Sequence, residues 1–171
     1  MKITESSRLL IEHATLADAE FFHRLMNSPN WIEFIGDRGI HSEKEAKEYI
    51  QNRLIASYEG NGYGLFKVSL KDTLEAIGVC GFVKRDFLDS PDIGYAILPE
   101  YENQGYISEA NQVMIKYGWE SLGLKIIYAI TSEKNARSQH LLLKLGLHRV
   151  GNIQPEGFDP DTILYEIERR E

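Results

Sequence analysis

Between Tyr101 and Ala110 the chain reads Tyr-Glu-Asn-Gln-Gly-Tyr-Ile-Ser-Glu-Ala, a glycine turn set between a strand pattern and a helix pattern. Such a turn aims several backbone N–H groups, together with the positive end of a helix, at one point in space. That arrangement suits a phosphate or pyrophosphate. One strand further on, Asn135-Ala-Arg-Ser138 opens a second helix. Asparagine is among the best N-cap residues, because its side-chain oxygen accepts from the unpaired N–H groups of the first turn. Two helix openings separated by a single strand suggest a cofactor lying between two parallel strands. No Gly-x-x-x-x-Gly-Lys-Ser/Thr run occurs, which speaks against a P-loop nucleotide enzyme.

The elements that must position these residues are legible in outline. Ser7 to His13 reads as a first strand. Thr15-Leu-Ala-Asp18 and Ser42-Glu-Lys-Glu45 are capping-box patterns. Behind them, Ala19, Phe22, Leu25 and Met26, then Ala46, Tyr49, Ile50 and Leu54, recur at helical spacing. The stretch from Asn30 to Ile40 between these helices reads as irregular and is a candidate substrate loop. Tyr63 to Leu70 and Ala76 to Val83 predict a strand pair joined by a hairpin turn. Asp92 to Leu98 predicts a strand stopped by Pro99, and Ile107, Ala110, Met114 and Tyr117 mark one face of a helix. Lys125 to Thr131 is a continuous apolar strand suited to burial. A short helix from Arg137 to Leu145 ends on Gly146, and a last hairpin joins Arg149–Val150 to Ile163–Ile167. The strand–helix–strand run from Asp92 to Thr131 implies a parallel crossover beside antiparallel strands. The expectation is an α/β (α+β) chain, one domain over residues 1–171, with a mixed sheet of six or seven strands and helices on both faces.

Composition narrows the class. The chain has 171 residues, 43% hydrophobic and 26% charged, enough for one sizeable core. Its 19 basic against 26 acidic residues give a net charge of −7, which argues against a general nucleic-acid binder. No apolar run approaches the roughly 20 residues of a membrane helix, and the N-terminus lacks the apolar core of a secretory signal. Cys80 is the single cysteine and the five histidines show no metal-ligand spacing. A cytoplasmic protein without a metal, a nucleic-acid partner or a membrane partner is expected.

Three features together resemble the GNAT N-acetyltransferases, and especially the branch that acetylates the N-terminal serine or alanine of ribosomal proteins. They are the run Ile93 to Ala110, the run Asn135-Ala-Arg-Ser138 through Leu141 and Leu142 to Lys144-Leu-Gly-Leu147, and the opening Ser7 to Ile11 with Asp18-Ala19 shortly after. The resemblance covers nearly the whole chain in the right order. It implies acetyl-CoA held where two parallel strands splay apart. Backbone at Ala96, Ile97 and Leu98 would meet the pantetheine arm, and the turn Asn103, Gln104, Gly105, Tyr106, Ile107 and Ser108 would hold the pyrophosphate. Asn135 and Ser138 would contact the donor as well. The turn departs from the family's commonest form: Glu102 stands where Gln or Arg is usual, Asn103 where many members have Gly, and Ile107 where Gly or Ala is usual. Glu102 is expected to point to solvent.

The resemblance also implies roles at the reacting centre. Asp92 matches the place of a general base, which an acceptor amine needs because only its neutral form is a nucleophile; a solvent-facing acid at a strand start is the alternative. Ser138 would donate to the departing thiolate, since Leu142 occupies the position where many members carry a tyrosine acid. Ser138, another tyrosine or water can fill that gap. Trp31, Phe34, Asp37, Arg38 and Tyr63 are the acceptor-side candidates. Trp31 also suits an anchor for its loop, and Asp37 a stabiliser of the turn at Gly36 and Gly39. The implied activity is acetyl transfer to a primary amine, a protein N-terminus or a small molecule, by direct transfer in a ternary complex. The alternative is a non-catalytic acyl-CoA-binding sensor or docking protein on the same fold. Exposed strand edges leave room for a homodimer.

Overall fold

The computed structural model describes residues 1–171. Strands β1 (Lys2–Glu5) and β2 (Leu9–Glu12) lead into helices α1 (Ala19–Met26), α2 (Pro29–Phe34) and α3 (Glu43–Tyr49). A π-helical stretch, Ile50–Ile55, carries α3 without a break into α4 (Ala56–Asn61). Then come β3 (Leu65–Leu70), β4 (Ala76–Val83), β5 (Asp92–Ile97), α5 (Tyr106–Glu120), β6 (Ile126–Ser132), α6 (Ala136–Lys144), β7 (His148–Asn152) and β8 (Thr162–Glu168). The strands form one eight-stranded sheet in the order β1-β2-β3-β4-β5-β6-β8-β7. No helix is long and apolar enough to cross a membrane.

Every residue of β4 from Ile77 to Phe82 is buried, so both faces of the central strand are covered. Helix α5 lies on β4 and β5 and reaches β1 and β2, α6 lies on β6, and α1 packs on α3. Close approach of strands depends on Gly81: a Cβ there would sit 2.0 Å from the Gly64 carbonyl oxygen. That carbonyl instead accepts from the Phe82 N–H at 3.0 Å.

The parallel pair is the exception that shapes the molecule. β5 and β6 are in register only at Asp92 and Tyr128, where the Tyr128 N–H donates to the Pro91 carbonyl at 3.1 Å. Beyond that point β5 stays with β4 as far as Ile97, while β6 stays with β8 as far as Ser132. The strands therefore part. Leu98 N–H donates to Ile77 O at 2.8 Å, and the Ala96 oxygen lies against Gly78. By strand alternation, Gly94, Ala96 and Leu98 address β4, while Ile93, Tyr95 and Ile97 turn their backbone groups to the gap.

Two expectations need correction. The sheet has eight strands rather than six or seven, because the short, mostly polar Lys2–Glu5 pairs with β2 as an edge. The stretch from Asn30 to Ile40 is not wholly irregular, since it begins inside α2, with Pro29 in the first helical turn where its missing N–H does no harm. The second capping pattern operates in the structure: Ser42 Oγ accepts from the Glu45 N–H at 3.1 Å. Glu45 Oε2 takes the His41 N–H at 2.9 Å.

The clearance at Gly81 makes the strand approach testable. Gly81→Ala is expected to lower unfolding free energy by about 2–3 kcal/mol through forced backbone displacement, read as a lower urea midpoint. An unchanged midpoint would show that β4 does not sit this close to Gly64.

Candidate active site

The turn after β5 is built by backbone conformation. Pro99–Tyr101 forms one 3-10 turn, after which Asn103 (φ +61°) and Gly105 (φ +81°) take left-handed conformations. Glycine adopts that region freely, whereas Asn103 uses the tolerance of a short polar side chain. None of the six N–H groups from Asn103 to Ser108 donates to another protein group, and the first closing bond of α5 is Glu109 N–H to Gly105 O at 3.1 Å. A row of free donors at the start of a 15-residue helix fits a pyrophosphate.

Arg8 holds this turn from behind. Its Nη1 donates to Gln104 O at 3.1 Å and its Nε to Glu109 Oε2 at 2.7 Å, while the guanidinium lies 4.3 Å from the Tyr106 ring centre. Glu109 Oε1 also accepts from Ser6 Oγ at 2.6 Å and from the Arg8 N–H at 3.0 Å. Burial opposes ionisation of Glu109, but the bonds from Ser6 and Arg8 outweigh it and hold the carboxyl below its ordinary range.

Glu102 corrects an expectation. Its side chain is only 16% exposed and does not point to solvent. Its carboxylate accepts from Asn30 Nδ2 and from Arg137 Nη1 at 3.2 Å. Arg137 also donates to Asn103 Oδ1 at 3.0 Å. Partners this far away in sequence leave no local signal.

At the second helix opening, Asn135 Oδ1 accepts the Ser138 N–H at 3.1 Å, the N-cap bond its sequence position suggested. Ser138 Oγ pairs with Tyr95 Oη at 2.7 Å. Burial pushes the Tyr95 phenol up to about 12, ahead of the opposing bond to Ser138, so it keeps its proton near neutrality. Leu142 is fully buried. Tyr95 was the residue missed: it stands in the Ile-Gly-Tyr run, but a tyrosine in a strand reads as packing.

Asp92 is 3% exposed, which removes the solvent-facing alternative. Burial raises its pKa while Arg85, with Nε 2.9 Å from Asp92 Oδ1, works against that rise. Arg85 in turn lies 5.4 Å from the Phe158 ring centre. Phe158 meets Phe87 edge-on at 5.7 Å, so the β4–β5 and β7–β8 connections converge here.

One cleft gathers Asp92, Ala96, Ile97, Asn103, Gly105, Tyr106, Ile107, Ser108, Asn135 and Ser138 with Trp31, Phe34, Asp37 and Arg38. Leu98, Gln104 and Tyr63 do not line it. Leu98 is buried, with its carbonyl accepting from the Tyr101 N–H at 3.0 Å. Gln104 Nε2 is bonded to Glu100 O at 3.1 Å. Tyr63 packs edge-on against Phe82. Trp31 is 4% exposed, and Asp37 Oδ1 takes the Gly39 N–H at 2.8 Å. Thr131 Oγ1, Asp161 Oδ2 and Trp31 Nε1 are buried without a partner, and all three residues border the cleft.

A family model described as an acetyltransferase (GNAT) domain matches residues 8–148. The chain belongs to the GNAT acetyltransferases. It is similar to YoaA of Bacillus subtilis, described as an uncharacterized N-acetyltransferase, at 30% identity over 170 residues, 96% of each chain. A crystal structure of a GNAT-family acetyltransferase from Bacillus anthracis superposes with TM-score 0.79 at 26% identity, covering 96% of both chains. RimL, a ribosomal L7/L12 α-N-protein acetyltransferase solved with coenzyme A, shares the fold with TM-score 0.83 at 16% identity over 98% of both chains. This GNAT chain is accordingly an N-acetyltransferase whose acetyl donor is acetyl-CoA.

The Arg8–Glu109 brace gives a pH-dependent prediction. A carboxyl whose folded pKa is depressed stabilises the protein above its unfolded pKa of about 4.3, and that contribution fades as pH falls through the folded value. Glu109→Gln is expected to lower stability by roughly 1–2 kcal/mol near neutrality. The gap in melting temperature between the two proteins should close on acidification below about pH 4. A gap of constant size would count against the brace.

Proposed function

We propose that the enzyme transfers an acetyl group directly from acetyl-CoA to the N-terminal amine of a protein, of the ribosomal-protein kind, within a ternary complex. The observation that carries the reading is the Tyr95–Ser138 pair, which supplies a protonated donor beside a free strand edge and a turn of unpaired N–H groups. The resemblance to the ribosomal-protein branch, and the shared fold with RimL, support the acceptor class.

The donor's pyrophosphate would take the N–H groups from Asn103 to Ser108, and Ile97 would offer its backbone to the pantetheine arm. The amine nitrogen attacks the thioester carbonyl, and an N–H on the gap-facing edge of β5 stabilises the oxygen as charge develops. The attack forms the C–N bond, and collapse of the tetrahedral intermediate re-forms C=O and breaks C–S. The amine's proton leaves through water toward Asp92. Sulfur departs as thiolate, an easy step because a thiol's ordinary pKa is about 8.5, and Tyr95 or Ser138 donates a hydrogen bond to it. Asn135 fixes Ser138 by capping α6. Trp31, Phe34, Asp37 and Arg38 border the acceptor side.

The non-catalytic alternative rests on Leu142 in place of a tyrosine acid and on the altered turn at Glu102, Asn103 and Ile107, but the turn keeps its unpaired N–H groups. Tyr95 supplies a phenol from β5 instead, so no observation favours that reading over catalysis.

The test is thiol release from acetyl-CoA with peptides bearing N-terminal serine or alanine, alongside polyamines and aminoglycosides. Turnover of the peptides is expected. Release with small amines alone would overturn the peptide acceptor, and binding of coenzyme A with no release from any amine would overturn catalysis. Tyr95→Phe should lower kcat by about 100-fold while leaving KM for acetyl-CoA nearly unchanged. An unaffected kcat would remove Tyr95 from the reaction.

A further inference from the structure

Glu102 places a negative charge at a turn otherwise suited to anions, and its partners explain how the fold tolerates it. Arg137 Nη1 neutralises it at 3.2 Å, and Asn30 Nδ2 binds its other oxygen. Asn30 belongs to α2, next to the buried Trp31. Arg137 reaches the turn itself through Asn103 Oδ1 at 3.0 Å. A second tie, the ion pair of Arg24 with Glu100, joins α1 to the same connection. The segment that carries the acceptor-side residues is thus fastened to the donor-side turn at two points.

The two halves of the Arg137–Glu102 pair differ in exposure. Arg137 is 65% exposed on its side chain and so is free to change partners, while Glu102 is 16% exposed and is not readily hydrated in its place. A phosphate at the turn offers a guanidinium more charge, and a bidentate geometry, than one carboxylate oxygen at 3.2 Å. Once Arg137 turns to phosphate, Glu102 is left half-buried beside negative charge with no cation. Its remaining contact, the Asn30 amide, is a neutral donor and weaker than a charged one, so the carboxylate swings out to water and releases Asn30.

We propose that Glu102 is a donor-responsive latch, which pins helix α2 to the turn through Asn30 and yields Arg137 to the donor's phosphates when acetyl-CoA binds. The proposal rests on the donor-site reading above. It makes Glu102 a positioning residue rather than a ligand, and Arg137 a phosphate contact held in reserve. Linkage fixes a consequence: if the donor loosens the latch, the latch weakens donor binding by the same factor. Abolishing the latch must therefore tighten the donor site, the opposite of what losing an ordinary binding residue does.

Calorimetric titration with coenzyme A separates the possibilities. Glu102→Gln is expected to bind about 5- to 50-fold tighter than the parent, and Arg137→Gln weaker by a similar factor. In the double variant the gain from Glu102→Gln should largely vanish, because it acts by freeing Arg137. An undiminished gain would reduce Glu102 to simple repulsion of phosphate and overturn the latch, as would unchanged affinity in the single variant. Asn30→Ala leaves both charges in place and should also tighten binding; if it does not, α2 is not part of the device. In a Trp119→Phe background, Trp31 emission should shift when coenzyme A binds and be already shifted in Asn30→Ala. No heat with coenzyme A in any variant, the parent included, would instead sink the donor site itself.

Discussion

The candidate active site exists because β5 and β6 meet at one residue pair and then separate. A parallel pair normally continues its ladder, since an unpaired backbone group kept from water is costly. Here β5 is committed to β4 through Ile97 and β6 to β8 through Ser132. Each strand is stabilised from its outer side, so neither depends on the other. The insertion of β8 between β6 and β7 is what gives β6 that independent partner. The gap is a property of the sheet's connectivity, and the polar edge it exposes is a ladder awaiting an extended, hydrogen-bonding ligand.

Burial then sets the chemistry of what faces the gap. Tyr95 and Asp92 lie three residues apart on β5, and for both the largest influence is desolvation, which disfavours the charged form. The outcomes differ because their partners differ. Ser138 is neutral and leaves Tyr95 a phenol able to donate, whereas Arg85 counters the rise at Asp92 and favours a carboxylate. One strand therefore presents a phenol that keeps its proton and a buried acid paired with a cation, separated by environment rather than by residue type alone.

How much of this was visible in the sequence follows from the range of the interactions. The helix caps at Ser42 and Asn135, the turn glycine Gly105 and the apolar run of β6 are local, and they declare themselves within a few residues. The order of elements around the crossover is likewise readable, because a parallel strand pair needs the intervening helix. What escaped depends on distant partners. Lys2–Glu5 is a strand only because β2 offers it an edge. Tyr95 acquires its hydroxyl partner 43 residues away. Glu102 is expected to face water because an acid pointing inward would meet a pyrophosphate, and the Arg137 that attends it instead arrives from 35 residues downstream.

Glu102 also shows why a departure from a motif need not be a defect in a site. A turn that binds anions through backbone N–H groups makes no demand on side-chain identity, so an acid is tolerated if a cation attends it. The attending cation is then drawn into the site's electrostatics and responds to whatever occupies the turn. Arg8 shows the contrasting case: it grips Gln104 O, Glu109 and the Tyr106 ring at once, too many partners to exchange together. The fold thus sets a fixed arginine behind the turn and an exchangeable one before it. Rigidity belongs to the cradle, and the proposed responsiveness to the one ion pair that also touches α2.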